Sequence, residues 1–175
     1  MLNVLDGVAT LCVTRDNPAS TGHAWSVFLA PGQIVRAAEE LFAEEYVLES
    51  ILALDVEEGF LLVYHFNKYF VDERIAVKVL VSREDPTVPS ITGIYDGAEW
   101  HEREVRDFHG VNFDGNPNLV PILLPADDFD LHPLLKDDKS RKALREVMSL
   151  GEVVTCSSEI EQLFAEEAEE EASTE

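Results

Sequence analysis

The residues best suited to chemistry lie close together between positions 99 and 109. His101 and Glu102 begin the pattern H-E-x-x-H, in which two histidines one helical turn apart bind zinc, but Val105 occupies the position of the second histidine. His109 lies eight residues after His101, which is about 80° round a helix and a poor geometry for chelation. The segment therefore predicts no metal site.

The carboxylates of the same segment could in principle act as a general acid and a general base. Their neighbours favour another interpretation, because opposite charges are spaced four residues apart in three pairs: Glu99–Arg103, Glu102–Arg106 and Arg103–Asp107. This spacing indicates an ion-pair ladder on a helix, which is either solvated or satisfied across a subunit contact. We expect carboxylates of its own helix or of a partner to hold Arg103.

Other sequence patterns of catalytic or cofactor sites are missing. The chain contains no Walker A loop, no G-x-G-x-x-G and no G-x-S-x-G. Cys12 and Cys156 cannot form a four-ligand metal site alone and make no C-x-x-C, so we expect two reduced, buried thiols. The sequence thus predicts no catalytic, cofactor-binding or metal-binding residue.

The charge of the chain excludes several classes of partner. The formal net charge is −22, and residues 152–175 contain nine Glu without a Lys or Arg. Such a surface repels nucleic-acid phosphates and anionic lipid. No apolar run approaches the roughly 20 residues that span a bilayer, and no basic region precedes the apolar residues at the N-terminus. We therefore expect a cytoplasmic protein that contacts the membrane only through partners.

The elements that must position these residues follow from hydrophobic periodicity. Apolar residues at helical spacing predict a helix over 31–45, and three strand-like runs follow at 48–55, 60–66 and 75–81. Residues 7–13 and 24–29 are also strand-like. Short connections between the three runs predict an antiparallel meander covered by the first helix.

The second half of the chain contains the charged helix. A helix over 99–108 is expected to end at Gly110, because glycine adopts a positive φ at little cost. Residues 112–137 predict an ordered surface loop. A last helix is expected near 157–168, with an apolar stripe of Ile160, Leu163 and Phe164, which we expect to dock on a partner.

Together these elements predict an α+β fold with two layers. It comprises a helix, an antiparallel or mixed meander sheet, the charged helix and an extended C-terminal segment. We assign residues 1–138 to the domain and residues 139–175 to a C-terminal extension with the apolar stripe and an acidic tail.

Two blocks of sequence resemble the 30 kDa subunit family of complex I, the respiratory NADH:quinone oxidoreductase. The first is SITGIYDGAEWHEREVRDFHG at 90–110, followed by valine, and the second runs from FDGNPNLV at 113–120 to HPLLKD at 132–137. The residues that match the family pattern, and that the resemblance implies lie at a partner interface, are Trp100, Glu102, Arg103, Glu104, Asp107, Gly110, Pro117, His132, Pro133, Lys136 and Asp137. The resemblance covers about residues 24–138.

Several positions depart from the family pattern. Asn116 replaces a histidine, Val120 and Leu135 replace arginines, and PILLP at 121–125 is more similar to the branch found in membrane-bound hydrogenases. The parent complex could therefore be an NADH dehydrogenase or an energy-converting hydrogenase.

The resemblance implies a non-catalytic structural subunit in the hydrophilic arm, peripheral to the inner membrane. Its expected partners are the large hydrogenase-like (49 kDa-type) subunit and an iron–sulfur subunit. The chain itself is expected to bind no cofactor, whereas partners carry iron–sulfur clusters together with NADH and FMN sites or a nickel–iron site. Composition alone also permits a stand-alone acidic adaptor without a redox partner.

Overall fold

The fold is built on a six-stranded mixed sheet. The structure is a computed structural model that describes residues 3–71, 73–128 and 130–165. The strand order in the sheet is β3-β4-β5-β2-β1-β8. In chain order these strands are β1 Thr10–Arg15, β2 Trp25–Leu29, β3 Tyr46–Val56, β4 Gly59–Lys68, β5 Ile75–Val81 and β8 Glu152–Cys156, while β6 Thr87–Pro89 and β7 Asn112–Asp114 form a separate parallel pair.

The predicted meander is confirmed. β3 pairs with β4 and β4 with β5, both antiparallel. β4 lies inside the sheet and is apolar on both faces, so residues 59–64 are all buried. β2 pairs with β5 in parallel, which makes the sheet mixed and confirms the predicted α+β class.

Helices cover both faces of the sheet. Five α-helices lie in the described residues: α1 Pro18–Thr21, α2 Ile34–Ala43, α3 Ala98–His109, α4 Leu144–Val147 and α5 Ser158–Phe164. A 3-10 turn at Pro31–Gln33 leads into α2, where proline suits the first turn because its missing N–H would be unpaired anyway. α2 and α3 bury Ile34, Leu41 and Val105 in the larger core on one face. α4 and α5 bury Leu144 and Ile160 on the other.

The C-terminal segment corrects one expectation. The sequence predicts that the apolar stripe docks on a partner, but Ile160 is 3% exposed and lies in the second core. Leu163 and Phe164 pack against that core, and the Phe164 ring lies edge-on to Phe28 at 5.9 Å. The stripe thus covers the chain's own sheet. The division at residue 138 stays a prediction, and residues 166–175 of the acidic tail lie outside the described residues.

The two cysteines also differ from expectation. β8 pairs antiparallel with β1 and places Cys156 directly opposite Cys12, where the two form a disulfide. The prediction of two reduced thiols is wrong because 144 positions separate them in sequence and only the sheet brings them together.

Among the residues that the structure describes, no helix is both long enough and apolar enough to span a membrane.

Candidate functional site

The charged helix α3 uses its carboxylates to hold its own surroundings. Glu102 is 0% exposed, and its Oε1 accepts a hydrogen bond from the backbone N–H of Ile91 at 2.9 Å. Its Oε2 accepts bonds from the Ser90 hydroxyl at 2.7 Å and the Asn116 side-chain amide at 2.8 Å. Burial raises the pKa of Glu102, although these three donors act in the opposite direction. Glu102 therefore joins α3 to Ser90 and Ile91, which precede the helix, and to Asn116, which follows it.

Asp107 holds the loop that follows α3. Its Oδ2 accepts hydrogen bonds from three successive backbone N–H groups, those of Ile122, Leu123 and Leu124, at 2.9, 2.8 and 3.1 Å. Burial alone would raise the pKa of Asp107, but the three N–H groups and nearby Arg106 outweigh it and lower the pKa. The ionised carboxylate thus holds the backbone N–H groups of residues 122–124 around one oxygen, in the way that a loop surrounds a bound anion.

Arg103 holds the preceding residues of the same loop. Its Nε donates to the Val120 carbonyl at 2.8 Å and its Nη2 to the Pro121 carbonyl at 3.1 Å. Its Nη1 lies 3.3 Å from Glu99, as the i,i+4 spacing predicts. The expected pairing with Asp107 is wrong, because the bonded oxygen of Asp107 accepts backbone N–H groups instead.

Gly110 and His132 close the far end of the loop. Gly110 follows α3 with φ +74°, and a Cβ there would lie 2.9 Å from the His132 ring. His132 Nδ1 donates to the Asp107 carbonyl at 2.9 Å, and the Leu134 N–H donates to the Phe108 carbonyl at 3.1 Å. The backbone conformation favours glycine here, and the histidine ring lies where a Cβ would be.

Asp55 is a further anchor that the sequence analysis missed. It is 1% exposed at the end of β3, and its Oδ2 accepts the Lys136 N–H at 2.7 Å. Its Oδ1 pairs with Arg83 at 2.7 Å and with Arg141 at 3.4 Å. Burial would raise the pKa of Asp55, but the Lys136 N–H and the two guanidinium groups lower it. The one sequence signal was an acid directly before a turn, which turn chemistry explains equally well.

These contacts hold residues 115–128 and 130–137, which we call the anchored loop. Several large apolar side chains of the loop and of α3 remain exposed: Trp100, Val120, Leu123, Leu131, Leu134 and Leu135. The Arg103 guanidinium lies 5.6 Å from the centre of the Trp100 ring. The loop, held in shape by buried charges, thus exposes large apolar side chains among charged ones such as Asp128, Asp130 and Asp137. Exposed apolar side chains with a polar rim are a feature of protein–protein contacts.

The residues singled out by sequence therefore fall into two groups. Glu102, Arg103, Asp107, Gly110 and His132 form the internal framework. The remaining residues are exposed: Trp100, Glu104, Pro117, Pro133, Lys136 and Asp137. Lys136 contributes its backbone N–H to the framework.

A cavity of about 300 Å³ lies between α3 and β3. Ile51, Val105 and Phe108 form apolar walls, and both His101 and His109 line it. Burial lowers the pKa of His109. Within the described ranges, no group of three or more His, Cys, Asp or Glu side chains could hold a metal ion.

A second titratable cluster joins β1, β2 and β5. Ser26 Oγ donates to Asp16 and accepts from Lys78 Nζ at 2.8 Å, and His23 Nε2 lies 3.0 Å from the same oxygen. Burial lowers the pKa of Lys78 to about 8. Because Ser26 is 1% exposed, a substrate could not reach it, and we interpret the cluster as structural. No sequence pattern indicates this cluster, because its members come from separate strands and loops.

A comparison with protein families matches residues 27–143 to the family described as "Respiratory-chain NADH dehydrogenase, 30 Kd subunit". This range contains α2, the meander, α3 and the anchored loop.

Two relatives are similar over part of the chain. The C subunit of NADH-quinone oxidoreductase from Roseiflexus sp. (strain RS-1) is 40% identical over 119 residues, covering 64% of this chain and 68% of the relative. The protein of the same name from Phenylobacterium zucineum (strain HLK1) is 48% identical over 81 residues, covering 46% of this chain and 38% of the relative.

Two solved structures are similar in fold. Nqo5, as a trypsin-resistant fragment of residues 1–134, aligns with a TM-score of 0.52 and 28% identity, covering 65% of this chain and 91% of the fragment. A polypeptide of the membrane-bound sulfane sulfur reductase, an archaeal respiratory membrane complex, aligns with a TM-score of 0.65 and 24% identity. The alignment covers 83% of this chain and 85% of that polypeptide. The second likeness concerns the fold alone.

Proposed function

The chain belongs to the 30 kDa subunit family of respiratory-chain NADH dehydrogenase, and from this premise we propose that it is a non-catalytic structural subunit. Its place is the hydrophilic arm of an NADH:quinone oxidoreductase-like complex or of an energy-converting hydrogenase. There it scaffolds the large hydrogenase-like (49 kDa-type) subunit next to an iron–sulfur subunit.

The anchored loop is the observation that carries this proposal. Two buried carboxylates on α3, Glu102 and Asp107, are satisfied by neutral donors of the chain's own backbone and side chains. They therefore organise the loop rather than act on a substrate. The result is a preformed surface that exposes several apolar side chains, and preformed surfaces bind with a smaller loss of conformational entropy.

The redox groups of the complex are assigned to partners. Partner subunits carry the iron–sulfur clusters, together with NADH and FMN sites or a nickel–iron site. The disulfide supports this assignment, because cluster ligation requires thiolates and both cysteines of the chain are bonded to each other. The chain then reaches the inner membrane only through the complex.

Matched substitutions test the scaffold. An affinity-tagged chain is expressed in its native host, and the co-purifying subunits are quantified by mass spectrometry. Val120→Asp places a charge on the anchored loop, and Val71→Asp places the same charge on an exposed valine elsewhere. We expect Val120→Asp to reduce recovery of the large subunit about tenfold or more and Val71→Asp to leave it unchanged.

Other results would exclude the proposal. If the unmodified chain recovers no hydrogenase-like large subunit, the adaptor interpretation is correct. If Val120→Asp and Val71→Asp bind equally well, with circular dichroism showing both folded, the anchored loop is not the interface.

A further inference from the structure

We propose that the outer edge of β8 accepts an extended, basic segment of a partner protein as an added strand. This site lies beyond the proposed scaffold surface. β8 ends the sheet on one side, whereas α3 packs on β3, which ends it on the other. The two surfaces can therefore be tested separately.

The backbone of β8 is the first reason. Within the described part of the chain, β8 pairs with β1 alone, so its outer edge keeps unpaired N–H and C=O groups. The side chains of Glu152, Val153, Val154 and Thr155 are exposed. An unpaired edge forms main-chain hydrogen bonds with an extended peptide, whereas a docking helix has no free main-chain groups to offer it.

Within the described residues, the strand lacks two of the protections that proteins give to a sheet edge. Proteins guard exposed edges with proline, lysine, other charges, bulges or a covering loop, and the five residues of β8 include neither proline nor lysine. Glu152 is their one charged residue, and the β1–β8 register shifts once, between Val13 and Thr14. Two of the five residues, Val153 and Val154, are exposed valines. The disulfide from Cys156 to Cys12 ties the end of β8 to β1, so the edge is already ordered before a partner arrives.

A groove beside β8 provides for side-chain recognition. Its volume is about 270 Å³, and Leu5, Val8, Val13 and Val154 supply apolar walls. In strand addition, alternate side chains of the added strand point to one face of the sheet. An apolar residue of the added segment can therefore enter the groove while its neighbours point away.

Charge selects the occupant. The chain carries −22, and the sequence from β8 onward contains nine Glu without a Lys or Arg. Asp6 lines the groove and Glu152 begins the strand, while Arg15, opposite Glu152, is the one basic partner in the β1–β8 register. A second copy of this chain would bring another −22 and be repelled, whereas lysine and arginine on the added segment would be attracted.

Synthetic peptides test the edge on the full chain. The probe is an acetylated and amidated peptide of about six residues, the usual length of a strand, with alternating Lys and Val. A matched peptide carries N-methyl groups on alternate amides, so it keeps its charge and side chains but loses the hydrogen bonds of one edge. Binding is followed by nuclear magnetic resonance of the chain's backbone amides.

We expect the Lys–Val peptide to shift and protect amides of residues 152–156, and the N-methylated peptide to bind about tenfold or more weakly. Val154→Lys should weaken binding, because it adds edge protection and like charge. Val120→Lys, with the same change of charge on the anchored loop, should not.

Three results would overturn the inference. Equal binding of the N-methylated peptide would show attraction by charge alone. No binding, or shifts confined to other residues, would exclude the edge. If sedimentation velocity shows that the chain dimerises and that Val154→Lys abolishes the dimer, the edge binds a second copy of the chain instead. Loss of the large subunit from Val120→Asp has no bearing on these results, so the two proposals fail independently.

Discussion

Asp107 shows how one residue can determine the shape of a loop. Three backbone N–H groups converge on its Oδ2, and each hydrogen bond to a charged group contributes about 1.5–3 kcal/mol. We expect Asp107→Ala to lower the free energy of unfolding by about 2 kcal/mol or more at pH 7, measured by urea denaturation. Asp114→Ala, at an exposed position on β7, should change it by less than about 0.5 kcal/mol.

The lowered pKa of Asp107 predicts how the stability difference between the unmodified chain and Asp107→Ala depends on pH. A carboxylate with a depressed pKa in the folded state stabilises the fold fully above the unfolded value of about 3.9 and loses that effect as the pH falls through the folded value. The gap between the unmodified chain and Asp107→Ala should therefore narrow below about pH 4. A gap that stays constant to pH 2 would contradict this account.

Gly110 presents a second constraint at a single residue. An alanine at φ +74° costs about 1–2 kcal/mol from the left-handed conformation alone, and its Cβ would also collide with His132. We expect Gly110→Ala to be destabilising, and Gly110→Ala with His132→Ala to lose less than the sum of the two single changes, because the collision is gone. Gly93→Ala, where a Cβ meets nothing within 4 Å, is the control. Strict additivity would show that the ring moves aside freely.

At the scale of elements, α5 belongs to the core of the chain. Ile160 is 3% exposed, so Ile160→Ala should lower the free energy of unfolding by about 2–5 kcal/mol, as buried isoleucine truncations do. Gln162→Ala, at an exposed position of the same helix, should change it by less than about 0.5 kcal/mol. Thermal and urea unfolding measure both. Equal, small effects of the two substitutions would show that the apolar stripe does not belong to the chain's own core and support the prediction that it docks on a partner.

The packing of β8 and α5 also predicts the effect of truncation. Removing all residues after Gly151 deletes β8 and α5, and with them the strand that pairs with β1 and the side chains over Phe28. Truncation should therefore destabilise the domain rather than leave it intact.

At the scale of the whole molecule, charge is the dominant property. With 35 acidic and 13 basic residues, the folded chain repels itself, and salt screens repulsion over a Debye length of about 10 Å at 0.1 M. We expect Tm to rise as sodium chloride is increased at pH 7, measured by differential scanning calorimetry. A falling Tm would show that local ion pairs such as Asp55–Arg83 outweigh the net repulsion.

Much of the fold could be predicted from the sequence because it depends on local periodicity. The alternation in residues 75–81, the apolar run of β4 and the glycine after α3 each report their own backbone conformation over a few residues. The two sequence blocks also identified the family, because they combine residue types with fixed spacing. None of these inferences needed knowledge of which distant residues meet.

The remaining features were decided by the tertiary structure. Asp55 meets Lys136 across 81 positions, and Cys12 meets Cys156 across 144. A carboxylate looks the same in sequence whether it pairs on its own helix, as Glu99 does, or receives the N–H groups of a distant loop, as Asp107 does. What distinguishes the two is burial and the donors that the fold brings to each oxygen, and neither exists until the sheet has assembled.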